Sequence, residues 1–328
     1  MTTLYVTSLT EGAGKTTICA GLAKHLLSKG KKVGFLKPII PEGVKGSDSD
    51  ALFMKQVIGL DEPVDSICPV ISSQGNVADG IRKACGQVSQ GKDVVIVEGI
   101  CEWSIVEALD AKTIIVEDYS NESIARLGND YKDLGEYLLG VVLNKVPRSQ
   151  LERRYDELSF QVSRAGATML GGLPEDRILF SLSVGELARY LQGEILNNAE
   201  KSEELVENFM LGVMTVDPGP EYFGRKANKA VVVKGGRPDM QMAALETSLR
   251  CLVLSDNIAP IPAVRHRAKN KNVPIIAVKS DTVATVMAIE EALGRTRLNQ
   301  AKKLAKLNEI MEKHFSFQDI YQGLGLAS

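Results

Sequence analysis

The chain has 328 residues, 44% hydrophobic and 24% charged, and its 39 basic and 41 acidic residues leave a net charge of −2. That balance lacks the basic excess of a nucleic-acid scaffold, and no run approaches the ~18 apolar residues of a membrane span. Met1 to Tyr5 lacks the basic and apolar regions of a signal peptide, so a cytoplasmic protein is expected, with neither nucleic acid nor membrane as partner. Cys19, Cys68, Cys85, Cys101 and Cys251 form no C-x-x-C pair, and His25, His266 and His314 lie far apart. Disulfide and zinc frameworks are therefore disfavoured.

The first half alternates apolar strands with amphipathic helices. Leu4 to Thr7 reads as a strand, Thr16 to Ser28 as a helix ended by Gly30, and Val33 to Leu36 as a second strand. Ser49 to Ile58 is helical. Val94 to Val97 is nearly all β-branched, as expected of a strand covered on both faces. Thr113 to Val116 and Val141 to Leu143 repeat that pattern around a helix expected over Ser123 to Leu138. A helix from Ser149 to Arg164 and a strand from Ala167 to Gly171 follow. The fold class is α/β, a parallel sheet with helices on both faces.

A boundary is expected near residues 176–184, where Ser183 and Glu186 form a capping box at a new helix. A second, smaller α/β domain follows, giving expected domains at 1–180 and 181–295. Its strands are Ala230 to Val233, Cys251 to Leu254 and Pro274 to Val278. Its helices are Met240 to Leu249, Ala263 to Lys269 and Thr282 to Leu293. Residues 296–328 form a C-terminal helix and tail, whose stripe of Leu298, Leu304, Leu307 and Met311 is expected to dock on the body or on a sister subunit.

The strongest motif runs from Thr7 to Thr17, after a strand and into a helix, the context that a P-loop requires. Gly12 and Gly14 let backbone amides approach phosphate oxygens. The backbone of Glu11, Gly12, Ala13, Gly14, Lys15, Thr16 and Thr17 would cradle the phosphates at a helix N-terminus. Lys15 supplies a cation, and the Thr16 hydroxyl is placed for Mg2+. Leu9 stands where the usual pattern has its first glycine, and Ser8 lies six residues before Gly14, a spacing that marks a longer-loop subclass. Lys37 ends the second strand and would face a phosphoryl or carboxyl group. Glu98 ends the third apolar strand and would complete a magnesium site. Asn144 ends another and offers a donor and an acceptor to a purine edge.

Together these sites resemble the dethiobiotin synthetase family of P-loop enzymes. The loop Ser8 to Thr16, Lys37-Pro38, Ser49-Asp50-Ala51-Leu52, Val97-Glu98-Gly99, Asn144 and Gly172-Leu173-Pro174-Glu175 stand in that family's order. The resemblance implies ATP as the nucleotide, magnesium held by Thr16, Asp50 and Glu98, and purine contacts from Asn144 and Pro174. It also implies that Lys15 and Lys37 meet the phosphates and the reacting group, and that the protein self-associates. Where the family has a run of small residues, this chain has Gly99-Ile100-Cys101-Glu102-Trp103. Further on, Lys234-Gly235-Gly236-Arg237-Pro238-Asp239 and Ala243 to Thr247 resemble a DRTGG domain, with Ser255-Asp256-Asn257 in place of Thr-Gly-Gly. The order of the two domains is similar to the N-terminal region of long phosphotransacetylases, without their acetyltransferase domain.

Gly235, Gly236 and Arg237 would bind an anion through backbone N–H groups and guanidinium, or form a tight turn. Two functions follow as expectations. The first is a regulatory protein that binds Mg–ATP, with a small metabolite in the second domain and a partner enzyme. The second is an ATP-dependent carboxylate or carbamate ligase using Lys15 and Lys37.

Overall fold

The computed structural model describes residues 1–39, 48–72, 76–120, 122, 132–164, 166–213, 219–294, 296, 298 and 300–326. It divides into two compact units, one of residues 1–176 with 298–328 and one of residues 177–297. Among the described residues, no helix is long and apolar enough to cross a membrane.

Six strands form the sheet of the first unit: β1 Thr2–Thr7, β2 Val33–Leu36, β3 Val94–Glu98, β4 Lys112–Asp118, β5 Leu138–Val146 and β6 Met169–Pro174. Their order is β2-β3-β1-β4-β5-β6, and every pairing is parallel. The β-branched run of β3 is buried at every position, as a strand covered on both faces requires. Chain order reverses beside β1, since β1 is followed on one side by β2 and β3 and on the other by β4. A crevice opens at such a switch point, outside the carboxyl ends of the strands. The loop after β1 enters the helix Lys15–Ser28 at that point.

Several elements differ from their expected spans. Of the helix expected over Ser123 to Leu138, residues 123–131 lie outside the described residues, while Lys132–Tyr137 form a short 3-10 helix and Leu138 opens β5. β6 runs on to Pro174, which a strand at the sheet's edge tolerates because its N–H side need not pair. The helix expected over Met240 to Leu249 spans Pro238–Leu245. Pro238 suits a first helical turn, and the Thr247 hydroxyl donates back to Ala244 O at 2.8 Å beyond its end.

The segment set apart at the C-terminus folds back onto the first unit. The reason lies in the helix Lys15–Ser28, where the run from Ile18 to Ala23 and Leu26 are all buried. A helix apolar over so much of its surface needs a second layer. The helix Ala301–His314 supplies it, burying Leu304, Leu307, Ile310 and Met311. Gly21 makes the room: a Cβ there would collide with the Met311 sulfur. Beyond the helix, Phe317 stacks on His25 with ring centroids 3.5 Å apart, and the Ser316 amide donates to Leu170 O at 2.7 Å.

The second unit holds a five-stranded sheet, from β8 Glu194–Ile195, β10 Asn208–Leu211, β11 Lys229–Lys234, β12 Leu249–Ser255 and β13 Ile275–Ala277. Its order is β10-β11-β12-β13-β8, parallel except for β8. A small ladder joins β7 Leu182–Ser183 to β9 Leu205–Val206. Ser183 caps the helix Val184–Tyr190 with the reciprocal Glu186 bond read from the sequence. Separate apolar clusters cover the two faces of the larger sheet.

The Gly21 contact generates a size test. Gly21→Leu forces a side chain into the volume of Met311, and such overpacking costs about 1–3 kcal/mol. The melting temperature should fall, and limited proteolysis should release residues 298–328 faster. Adding Met311→Ala, which vacates that volume, should recover part of the loss.

Candidate functional site

Every sequence-selected residue of the first unit except those of the phosphate loop and Asp50 stands at the carboxyl end of a strand. The loop itself has the backbone that its glycines allow: Gly12 has φ +76° and Gly14 φ +97°, conformations that side chains disfavour. A Cβ on Gly14 would also strike the Asn144 amide. Glu11 is exposed at the loop's tip, while Thr16 and Thr17 are half-buried in the first helical turn. The Lys15 ammonium donates to Ser8 Oγ at 2.8 Å, and Ser8 Oγ in turn donates to Thr10 O at 2.8 Å.

At the ends of β2 and β3 the side chains converge. Thr16 Oγ1 donates to Glu98 Oε1 at 2.8 Å and lies 3.4 Å from Asp50 Oδ2. Lys37 Nζ lies 2.7 Å from Asp50 Oδ2, 3.0 Å from Asp48 Oδ2 and 3.4 Å from Glu98 Oε1. Asp48 is the N-cap of the helix Ser49–Ile58 and accepts from the Asp50 amide at 2.7 Å. That cap fixes where Asp50 points.

Burial pushes the Glu98 carboxyl above its usual value, and Lys37 and the Thr16 hydroxyl offset this only in part. Burial alone would lower the Lys37 ammonium, but Glu98, Asp50 and Asp48 outweigh it and hold the group above its ordinary range. Burial raises the Asp48 carboxyl, but the Lys37 ammonium and the amides of Asp50 and Ala51 prevail and hold it low.

The donor set fits magnesium. Glu98 is 4% exposed, and its Oε2 is buried with no hydrogen-bond partner. An oxygen left in that state calls for a further ligand. A hydroxyl and two carboxylates are the hard donors that Mg2+ prefers. Among the described residues, no cluster of three or more His, Cys, Asp or Glu side chains is arranged to hold a metal by itself. A cation here would thus take its other ligands from phosphate and water.

Three residues given no role in the sequence reading support the site, two of them at the loop. Glu117, at 2% exposure on β4, accepts from the Leu9 amide at 2.9 Å and from Thr10 Oγ1 at 3.0 Å. Lys145 donates to Gly12 O at 2.8 Å and pairs with Asp118 Oδ2 at 3.0 Å. Asp48 is the third. Asn144 donates to Ala13 O at 2.8 Å, which commits one of its two amide hydrogens to the loop. Pro174 closes β6 beside Glu175, whose amide donates to Val146 O at 2.9 Å. Beneath the site, the Tyr5 hydroxyl donates to Ile100 O at 2.7 Å, which fixes the chain just after Glu98.

In the second unit several donors of the expected anion turn have partners within the protein. Arg237 forms a two-pronged pair with Asp239, Nε to Oδ1 at 3.0 Å and Nη2 to Oδ2 at 2.8 Å. The Gly235 amide donates to Ser255 O at 3.0 Å, and the Arg237 amide to Lys234 O at 3.0 Å. Gly235 is required by packing, since a Cβ there would lie 2.6 Å from Ile258 O. The tight-turn reading of Gly235, Gly236 and Arg237 accounts for these contacts.

Comparison with known proteins agrees with this layout. The model of the AAA domain family matches residues 2–181, more than half of the chain. Over that region the chain belongs to the AAA domain family. A DRTGG domain matches residues 186–292. Curated relatives include a phosphate acetyltransferase of Nitrosomonas europaea, 22% identical over 96% of this chain and 50% of its own length. Another, from Pseudomonas aeruginosa, is 23% identical over 99% of this chain and 52% of its own length. The chain spans about half the length of these relatives. An ATP-dependent dethiobiotin synthetase of Brachyspira hyodysenteriae is 28% identical over 29% of this chain and 49% of its own. Among solved structures, the MinC:MinD complex of Aquifex aeolicus is similar at 19% identity and TM-score 0.40, covering 55% of this chain and 84% of that one. A dethiobiotin synthetase-like P-loop domain followed by a DRTGG domain is thus the organisation of the chain.

The AAA domain's ion-pair cluster has a pH signature. Asp48→Asn keeps the helix cap but removes the charge facing Lys37, at a cost of about 1–2 kcal/mol near pH 7. Because the folded Asp48 is held low, its contribution is present above the ordinary carboxylate value of about 4 and is lost as pH falls through the depressed one. Urea unfolding of both proteins should therefore differ most near neutrality and converge in acid.

Proposed function

We propose that the AAA domain binds Mg–ATP and that the chain is a nucleotide- and metabolite-sensing regulatory protein, related to the N-terminal part of phosphate acetyltransferases. The observation that carries this reading is the convergence of Thr16, Asp50 and Glu98 beside a phosphate loop, with one Glu98 oxygen buried and unpartnered. In this reading the loop amides and Lys15 hold the β and γ phosphates. Lys15 would exchange the Ser8 hydroxyl for phosphate oxygen. Thr16, Asp50 and Glu98 would hold Mg2+, which neutralises phosphate charge. Asn144 Oδ1 and the Pro174 segment would meet the purine.

Sensing is favoured over synthesis by the loop after Glu98. Ile100 and Glu102 stand where dethiobiotin synthetases carry small residues, and the Tyr5 hydroxyl fixes the backbone there. A small metabolite bound in the DRTGG domain, a partner enzyme and self-association in the cytoplasm complete the proposal. Coupling between two such sites requires that each ligand bind one of two states better. The placement of Lys37 supports a second reading, an ATP-dependent carboxylate or carbamate ligase. An ammonium 3.4 Å from Glu98 would neutralise charge developing on a transferred phosphoryl group.

Phosphate release from Mg–ATP, with and without short carboxylic acids or bicarbonate, separates the two. The sensor reading predicts ATP binding without acid-dependent release, and loss of binding in Lys15→Ala. Release that needs one acid and disappears in Lys15→Ala would make the protein a ligase.

A further inference from the structure

The cluster at the ends of β2 and β3 contains its own cation. Lys37 Nζ reaches Asp50 and Glu98, the carboxylates assigned to magnesium, and Asp48 as well. Glu98 is 4% exposed, and the Lys37 side chain is 18% exposed. Charges this far from water interact strongly, and carboxylates left without a partner there would be costly. The ammonium partners all three. Its Nζ and the Thr16 hydroxyl meet the same oxygen of Glu98, 3.4 Å and 2.8 Å away, and both also approach Asp50 Oδ2, at 2.7 Å and 3.4 Å. A divalent ion bound by Thr16, Asp50 and the Glu98 carboxylate, whose Oε2 is open, would compete with the ammonium for Asp50 Oδ2 and repel it from Glu98 Oε1.

We infer that Lys37 stands in for magnesium in the nucleotide-free protein, so that the metal must displace its ammonium, which is then left to Asp48. The inference rests on the magnesium reading above and adds a function for Asp48. Asp48 is a berth outside the metal's ligand set, 3.0 Å from Nζ. It keeps Lys37 close to the site after exchange. The arrangement disfavours metal binding without nucleotide, because the divalent ion alone must break two ion pairs. With nucleotide present, phosphate oxygens add ligands for the metal and a new partner for the lysine. Metal and nucleotide would therefore load together.

The test uses Mn2+ as the probe at pH 8, with free Mn2+ followed by electron paramagnetic resonance in the absence of nucleotide. Lys37→Met should bind Mn2+ roughly ten-fold or more tightly than the unaltered chain, since no ammonium has to be displaced from desolvated carboxylates. Circular dichroism establishes that the variant is folded. A second measurement needs no variant. Acylation of Lys37 by an amine-directed reagent, read by peptide mass spectrometry, should speed up several-fold when Mn2+ saturates the nucleotide-free protein, because displacement from Asp50 and Glu98 opens to the reagent a side chain that is otherwise 18% exposed. Equal Mn2+ affinity in the two proteins, or Lys37 labelling that Mn2+ leaves unchanged, would overturn the inference while leaving a functioning ATP-dependent metal site intact. Absence of Mn2+ binding in both proteins, with and without ATP, would overturn the metal site itself and this inference with it.

Discussion

The Lys37 ammonium pairs with three carboxylates brought to within 3.4 Å of it by β2, β3 and the helix Ser49–Ile58. None of these groups could be left buried singly without a large desolvation cost. The pairing therefore constrains the surrounding backbone. Asp48 must cap its helix where it does, β3 must end on Glu98, and β2 must end one residue before Lys37. The Thr16 hydroxyl ties the same cluster to the phosphate loop. The parallel sheet makes this possible, because it sends the carboxyl ends of all its strands to one edge.

Much of this was legible in the sequence, for physical reasons. β-branched runs such as Val94 to Val97 admit few conformations other than a covered strand. The spacing of Gly12, Gly14, Lys15 and Thr16 after a strand is specific because only that backbone lets amides approach phosphate. Glu117 was missed although it carries the signal that marked Glu98, an acid closing an apolar strand. Its role is to hold the loop's backbone from a neighbouring strand, a contact across 108 residues that periodicity cannot reveal. Asp48 had a signal too, as a cap candidate before Ser49-Asp50, but its pairing with Lys37 depends on strand order. The stripe of Leu304, Leu307 and Met311 was legible as a docking face for the body or a sister subunit, and the surface that it covers is the buried run from Ile18 to Ala23 in the helix after the phosphate loop. Arg237 illustrates the opposite case. Its glycine-rich turn reads equally as an anion site or a tight turn, and only the fold shows that Asp239, two residues on, pairs with the guanidinium.

The two units carry different kinds of site. The AAA domain has an unsatisfied buried oxygen, a cation shared among carboxylates and a loop shaped by Glu117 and Lys145, features that mark a place poised for a ligand. The DRTGG domain has its glycine turn closed by internal bonds and its sheet covered on both faces.

In the proposed site Glu98 helps to hold a metal that strengthens nucleotide binding. Calorimetric titration of ATP with and without Mg2+, on the unaltered chain and on Glu98→Gln, tests it most directly. The account predicts that Mg2+ tightens ATP binding about ten-fold or more in the unaltered chain and that Glu98→Gln loses most of that gain, since a neutral amide replaces a charged ligand. Equal Mg2+ dependence in the two proteins, or ATP binding indifferent to Mg2+, would contradict it.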